Sequence, residues 1–229
     1  MVLLMRSKLT GLMIEPYVKG LQTTLSLFVV TLIGSSLLTF VMVYLTQNKW
    51  FAWLIKTYVY VLRATPLLLQ IIFIFYGLPF FGIVLDRWFA SYLAFILNYS
   101  AYFIEIMRGG IQSLDKGQKE AGKVLGLSDL FIFQKVLLPQ AMINTFPAIS
   151  NEILTLVKDT ALISVVGLSD LLKVSRSLVN ATATFIPFVT VGIIYLVMNM
   201  FLTIVLSYTE RYLLTKKGLE NVNPSQESL

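Results

Sequence analysis

Long apolar runs alternate with short polar ones along this chain. No charged residue stands between Gly20 and Asn48, a stretch longer than the roughly 20 apolar residues a helix needs to cross a bilayer core. Lys49, Trp50, Trp53 and Lys56 follow, a basic and aromatic boundary suited to a membrane–water interface. A second span is predicted over 65–81, closed by Gly77, Pro79 and Gly82, with Asp86, Arg87 and Trp88 at the far interface. The third is predicted over 89–107, ending where Glu105 and Arg108, three apart on a helix, can pair. Residues 140–157 make a fourth, weaker span. Asn144, Pro147, Asn151 and Glu152 interrupt it, as a span permits when its polar side chains face the bundle interior. The apolar piece 160–172 is too short to cross and reads as re-entrant or interfacial. The last span lies within 177–209, from about Phe185 onward. Residues 1–20 read as an amphipathic lead-in that Pro16 should break, and the tail beyond Lys217 as disordered. The expectation is one all-α integral membrane domain over 1–229. It has about five spans, a polar loop over 108–139 between the third and fourth, and a re-entrant or interfacial segment before the last.

The polar loop has its own punctuation. Asp115, with Gln118 three residues on, is a capping-box signature for a helix start. Gly126 is a helix stop, Ser128 can cap a second short helix, and Pro139 should end or kink it. Leu125, Leu127, Leu130, Phe131 and Phe133 are available to anchor this segment to the spans.

Composition agrees with the pattern. The 229 residues are 57% hydrophobic and 13% charged, with mean hydropathy +0.79, whereas a soluble domain carries about 25% charged residues. The net charge of +6 is scattered between apolar runs, which suits membrane topology and anionic lipid rather than nucleic acid. There is no Cys and no His, so disulfides, thiolate or imidazole metal sites and His- or Cys-based catalysis are excluded. The opening MVLLMRSK lacks the order of a cleavable signal, so the first span is expected to serve as an uncleaved one. No phosphate-binding G-x-x-x-x-G-K-[ST] loop is present.

Glu120-Ala121-Gly122, three residues, Gly126, nine residues, then Val136-Leu137-Leu138-Pro139 resembles the EAA signature of membrane subunits of ABC importers, with Gly122 and Val136 as departures. Arg63-Ala64-Thr65-Pro66-Leu67 leading to Tyr76-Gly77-Leu78-Pro79 is similar to the polar amino-acid permeases of that family. So are Ala101-Tyr102, Glu105, Arg108 to Ser113, Lys116-Gly117-Gln118, and the run from Asn151-Glu152 through Lys158-Asp159-Thr160 to Leu162. Asp115 stands where the family usually has Pro. The resemblance covers about Gly20 to Leu214. It implies a multi-pass permease of the bacterial cytoplasmic (inner) membrane, of the histidine, arginine or glutamine type, without catalysis of its own. The implied partners are two ATPase subunits that bind ATP and magnesium, a second permease chain, the same or homologous, and an extracytoplasmic solute-binding protein. The 108–139 loop becomes a cytoplasmic coupling segment, with Lys119, Glu120, Ala121, Gly122, Lys123, Leu125 and Gly126 against the ATPase. Eleven of the 18 Lys and Arg then fall on the cytoplasmic side, in the sense of the positive-inside rule.

Glu152 and Asp159 are the sharpest candidates for substrate contact. Seven residues apart, they share one face of an unbroken helix. Acids at membrane depth mark function by default, and two of them suit an ammonium or guanidinium group. The competing reading pairs them with Lys158 or a second permease, or leaves Asp159 among outer headgroups. Pro147 and Asn151 suggest a discontinuous helix that frees backbone groups for a ligand. Gln70, Asn98 and Tyr102 can bond to substrate or between helices, and Arg63 is expected to snorkel to the interface. Rival classes are an ion-driven transporter or channel, a membrane enzyme, and an ABC permease for another cargo. The first would want an inverted repeat or a charge relay, and the second a catalytic cluster; the sequence offers neither.

Overall fold

A computed structural model describes the backbone of residues 2–216 and the side chains of 14–215. The tail expected to be disordered lies outside the described residues. Every regular element among the described residues is helical. α1 (Val2–Leu45) runs through Pro16 without the expected break. Tertiary contact holds that region: Tyr17 donates to the Pro187 carbonyl at 3.3 Å, and Gly20 lies against Asp170, Leu171 and Val174.

The second span differs from expectation more deeply. Lys49–Ala64, read from sequence as a boundary, is a helix of its own (α2), started by Asn48, whose side chain accepts from the Trp50 N–H at 3.0 Å. Thr65 then takes extended backbone (φ −115°, ψ 140°), as the residue before a proline prefers. α3 (Leu67–Ile72) departs at 104° to α2 and continues through a π turn (Phe73–Gly77) and a 3-10 turn (Leu78–Phe81). Gly82, at φ +80°, closes it.

α4 (Arg87–Gln112) is the central post. Asp86 caps it by accepting from the Trp88 and Phe89 N–H groups. Its 26 residues reach about 39 Å at 1.5 Å per residue, enough for a full crossing. α1 packs along it. A Cβ on Gly34 would meet Ile96 at 2.6 Å, so a small residue lets the two helices close, as the Gly34-Ser35-Ser36 stretch implies. Val43 of α1 shares a buried cluster with Ile104 and Met107 of α4, while Leu27 and Phe28 share another with Ala94 and Phe95. The two helices therefore run the same way. The chain between them must return across the same thickness, which makes α2 and α3 one broken crossing.

A short polar segment follows: α5 (Lys116–Val124), then α6 (Asp129–Ile132), a π turn (Phe133–Leu137) and α7 (Leu138–Asp159) without a stop. Pro139 thus sits two residues past the π turn, and the helix runs on through it instead of ending. α7 also passes through Pro147 unbroken. It runs antiparallel to α4: Gly110 lies against Ala141 and Thr145, and Tyr99 reaches Asp159. The segment expected to be re-entrant or interfacial is a 3-10 helix (Thr160–Val166) with Ile163 and Val166 buried, followed by an amphipathic α8 (Leu171–Thr182) capped by Asp170. α9 (Ile186–Lys216) ends the described chain. Ile14–Leu45, Arg87–Gln112 and Ile186–Thr215 are long and apolar enough to cross a membrane, and the bent pair is a fourth such unit. α7 fails that measure because its polar residues dilute it, though its 22 residues would reach about 33 Å.

Candidate functional site

Asn98 and Tyr99 stand halfway along α4, level with the α2–α3 break. A cavity of about 610 Å³ opens there, lined by Arg63, Thr65 and Pro66 of the break, Asn98, Tyr99 and Tyr102 of α4, and Glu152, Thr155 and Asp159 of α7. The break is built by side-chain amides. Asn98 Nδ2 donates to the Leu62 carbonyl at 3.2 Å and to Gln70 Oε1 at 3.1 Å. Gln70 Nε2 donates back to the Leu62 and Thr65 carbonyls at 2.9 and 3.1 Å and to Thr65 Oγ1 at 2.8 Å. Carbonyls orphaned by the missing helical turn are thereby satisfied without water, as apolar surroundings demand.

The structure brings four of the six sequence candidates to this cavity: Glu152, Asp159, Asn98 and Tyr102. Gln70 stands behind it, with its amide committed to the break. Asn151 is exposed on another face of α7 and does not line it. The discontinuity expected at Pro147 lies instead across the cavity, at Pro66.

Three lining residues were missed. Tyr99 Oη donates to Asp159 Oδ2 at 2.7 Å and fixes that carboxylate. Thr155 falls three after Glu152 and four before Asp159, so the helical spacing that united the two acids also predicts it. Arg63 does not simply snorkel away. Its Cζ lies 5.3 Å from the Tyr102 ring centroid, and its Nη1 lies 3.6 Å from Glu105 Oε1. Glu105 is held by Arg108 at 2.8 and 2.5 Å, the pair expected from their spacing. Two carboxylates and one guanidinium group therefore line this cavity, which favours a polar, charged occupant over an apolar one.

The polar segment forms a protruding elbow at the other end of α4. Asp115 accepts from the Gly117 N–H at 2.9 Å and starts α5 as its spacing predicts. Gln118 does not close the capping box; it exchanges hydrogen bonds with Gln140 at 3.2 and 2.8 Å, tying α5 to α7. Gly126, at φ +74°, makes the stop, and Ser128 caps α6 through the Phe131 N–H. Gly122 is buried against Ile132, whose carbons lie 2.8 Å from where a Cβ would stand. The anchor differs from the expected set. Phe133 is buried beside Val43, but Leu130 and Phe131 are exposed, Leu125 is 75% exposed and Val124 88%. Ile132, absent from that set, is fully buried and holds α5 through Gly122, while Phe133 packs on the spans. Lys119, Glu120, Ala121 and Lys123 cover the rest of the elbow; Lys123 pairs with Asp129 at 3.5 Å.

The family described as "Binding-protein-dependent transport system inner membrane component" matches residues 32–214. The arginine transport system permease protein ArtQ of Bacillus subtilis (strain 168) is 38% identical over 199 residues, 85% of this chain and 91% of that protein. The nopaline transport system permease protein NocM of Agrobacterium fabrum is 35% identical over 212 residues, 86% of each. A chain from the crystal structure of an amino acid ABC transporter with histidines superposes with a TM-score of 0.79 at 33% identity, covering 91% of this chain and 97% of that one. The MetNI methionine ABC transporter, in inward-facing conformations, shares the fold with a TM-score of 0.75 at 18% identity over 88% of this chain and 97% of that one.

Proposed function

The chain belongs to the binding-protein-dependent transport system inner membrane components, and on that premise we propose that it is the permease subunit of an ATP-driven importer for amino acids with a cationic side chain. The family works with an ATPase and a solute-binding protein. In our reading two ATPase subunits bind ATP with magnesium, a second permease completes the passage, and this chain performs no catalysis itself. The exposed Val124 and Leu125, ringed by Lys119, Glu120 and Lys123, are the elbow's contact with the ATPase. Gly122 on Ile132 makes the elbow move with α7, so closure of the ATPases tilts the helix that carries Glu152 and Asp159.

The observation that carries the cargo assignment is the pair of acids two turns apart on α7, both lining one mid-depth cavity. Paired acids there match an ammonium and a guanidinium, or two ammonium groups, on one small molecule. The permease–ATPase complex in proteoliposomes, with its solute-binding protein, tests this. Glu152→Gln and Asp159→Asn should each weaken arginine-stimulated ATP hydrolysis about tenfold or more, since each loses a charge-assisted hydrogen bond. Wild-type response to arginine with both variants unchanged would refute the role of the acids.

A further inference from the structure

We propose that Arg63 receives the carboxylate of the cargo and thereby restricts transport to amino acids rather than bare cations; the inference rests on the amino-acid reading above. Arg63 sits in the last turn of α2, and the 104° turn of the chain at Pro66 leaves that turn uncovered. Its side chain consequently borders two spaces. One is the mid-depth cavity with Glu152 and Asp159. The other is a cleft of about 570 Å³ between α1, α2 and α4, lined by Lys56, Glu105 and Arg108 among others.

The guanidinium is under-used where it stands. Its nearest carboxylate oxygen, Glu105 Oε1, is 3.6 Å away, beyond hydrogen-bonding reach, and that oxygen already accepts from Arg108 at 2.5 Å. Its other contact, with the Tyr102 ring, is a cation–π attraction that consumes no N–H donor. A planar fork with five donors, partly exposed to a cavity, is the side chain best shaped to take a carboxylate by two parallel bonds.

Charge balance in the cavity points the same way. Its ionisable walls are two acids, Glu152 and Asp159, and one guanidinium base, Arg63; Lys158 is exposed on another face and does not line it. A basic amino acid presents the complement, two cations and one carboxylate. Without Arg63 the cargo's carboxylate would meet two carboxylates and no cation. Glu105 is then the resting counter-ion that Arg63 leaves when cargo arrives, with Arg108 keeping Glu105 paired in its absence.

The experiment measures binding to the purified permease–ATPase complex without the solute-binding protein, which would impose its own selection. Arginine, lysine, histidine and glutamine are each compared with the amine that lacks the carboxylate, agmatine for arginine. Wild type should prefer at least one amino acid over its amine by about tenfold or more, the worth of a charged bidentate contact. Arg63→Gln should collapse that ratio by weakening the amino acid and sparing the amine, and Arg63→Lys should fall between. A ratio unchanged by Arg63→Gln, with both ligands weakened alike or neither, overturns the proposal and leaves Arg63 a structural role. Should Arg63→Gln fail to assemble, Arg63→Lys decides by the same ratio. Wild type binding none of the four amino acids would refute the cargo reading itself, and the role of Arg63 with it.

Discussion

Pro66 and Pro147 are the same residue in two helices, and they act in opposite ways. Before Pro66, Thr65 is extended and the carbonyls it strands find the amides of Gln70 and Asn98. Around Pro147 the helix continues, held by packing of α7 on α4 and α9. A proline offers a break; neighbours that can satisfy the freed carbonyls accept it. Glycine at 122 is decided just as locally. A Gly122→Val side chain would enter the space of Ile132. Overpacking of this kind costs about 1–3 kcal/mol. The variant should still assemble, but its ATP hydrolysis should become less dependent on cargo, read as the ratio of stimulated to unstimulated turnover.

The elbow is the element in which local signals were most complete. Asp115, Gly126 and Ser128 did there what their chemistry predicts, because capping and positive-φ stops need only near neighbours. Asp115→Ala should destabilise α5 by about 1 kcal/mol, less than a residue that both caps and packs. The outward aim of Val124 and Leu125 has a stronger consequence. Leu125 is 75% exposed, so with Leu125→Asp the permease should fold and insert normally. Co-purification of the ATPase with it should drop sharply, since a carboxylate buried in an interface without a partner is costly. Undiminished recovery of ATPase with Leu125→Asp would remove the elbow from the interface.

At the scale of the whole molecule, the parallel run of α1 and α4 fixes which loops share a side. The elbow, the start of α2 and the end of α9 lie at one end; Gly82, Arg87 and α8 lie at the other. The protein is an inner membrane component, and the chain contains no cysteine, so single cysteines report this directly. In whole cells, Lys49→Cys at the start of α2 should resist a membrane-impermeant maleimide until the membrane is opened, whereas Val84→Cys should react from outside. The reverse labelling would invert the orientation and with it the coupling role of the elbow.

Periodicity, charge-free length and short-range caps were enough to determine that this chain crosses a membrane several times, that helices of its polar elbow start at Asp115 and Ser128 and stop at Gly126, and that Glu152 and Asp159 share a helix face. Each of those depends on residues within a few turns of one another. The α2–α3 break, the recruitment of Tyr99 and Arg63 to the acids, and the exposure of Leu125 while Ile132 is buried were decided by the fold. They arise where segments distant in sequence meet: Asn98 with Leu62, Tyr99 with Asp159, Gly122 with Ile132. Apolar residues that can equally face lipid, partner or core carry no mark of which they will face, and a polar side chain in a dry bundle is defined by the partner that arrives from another helix.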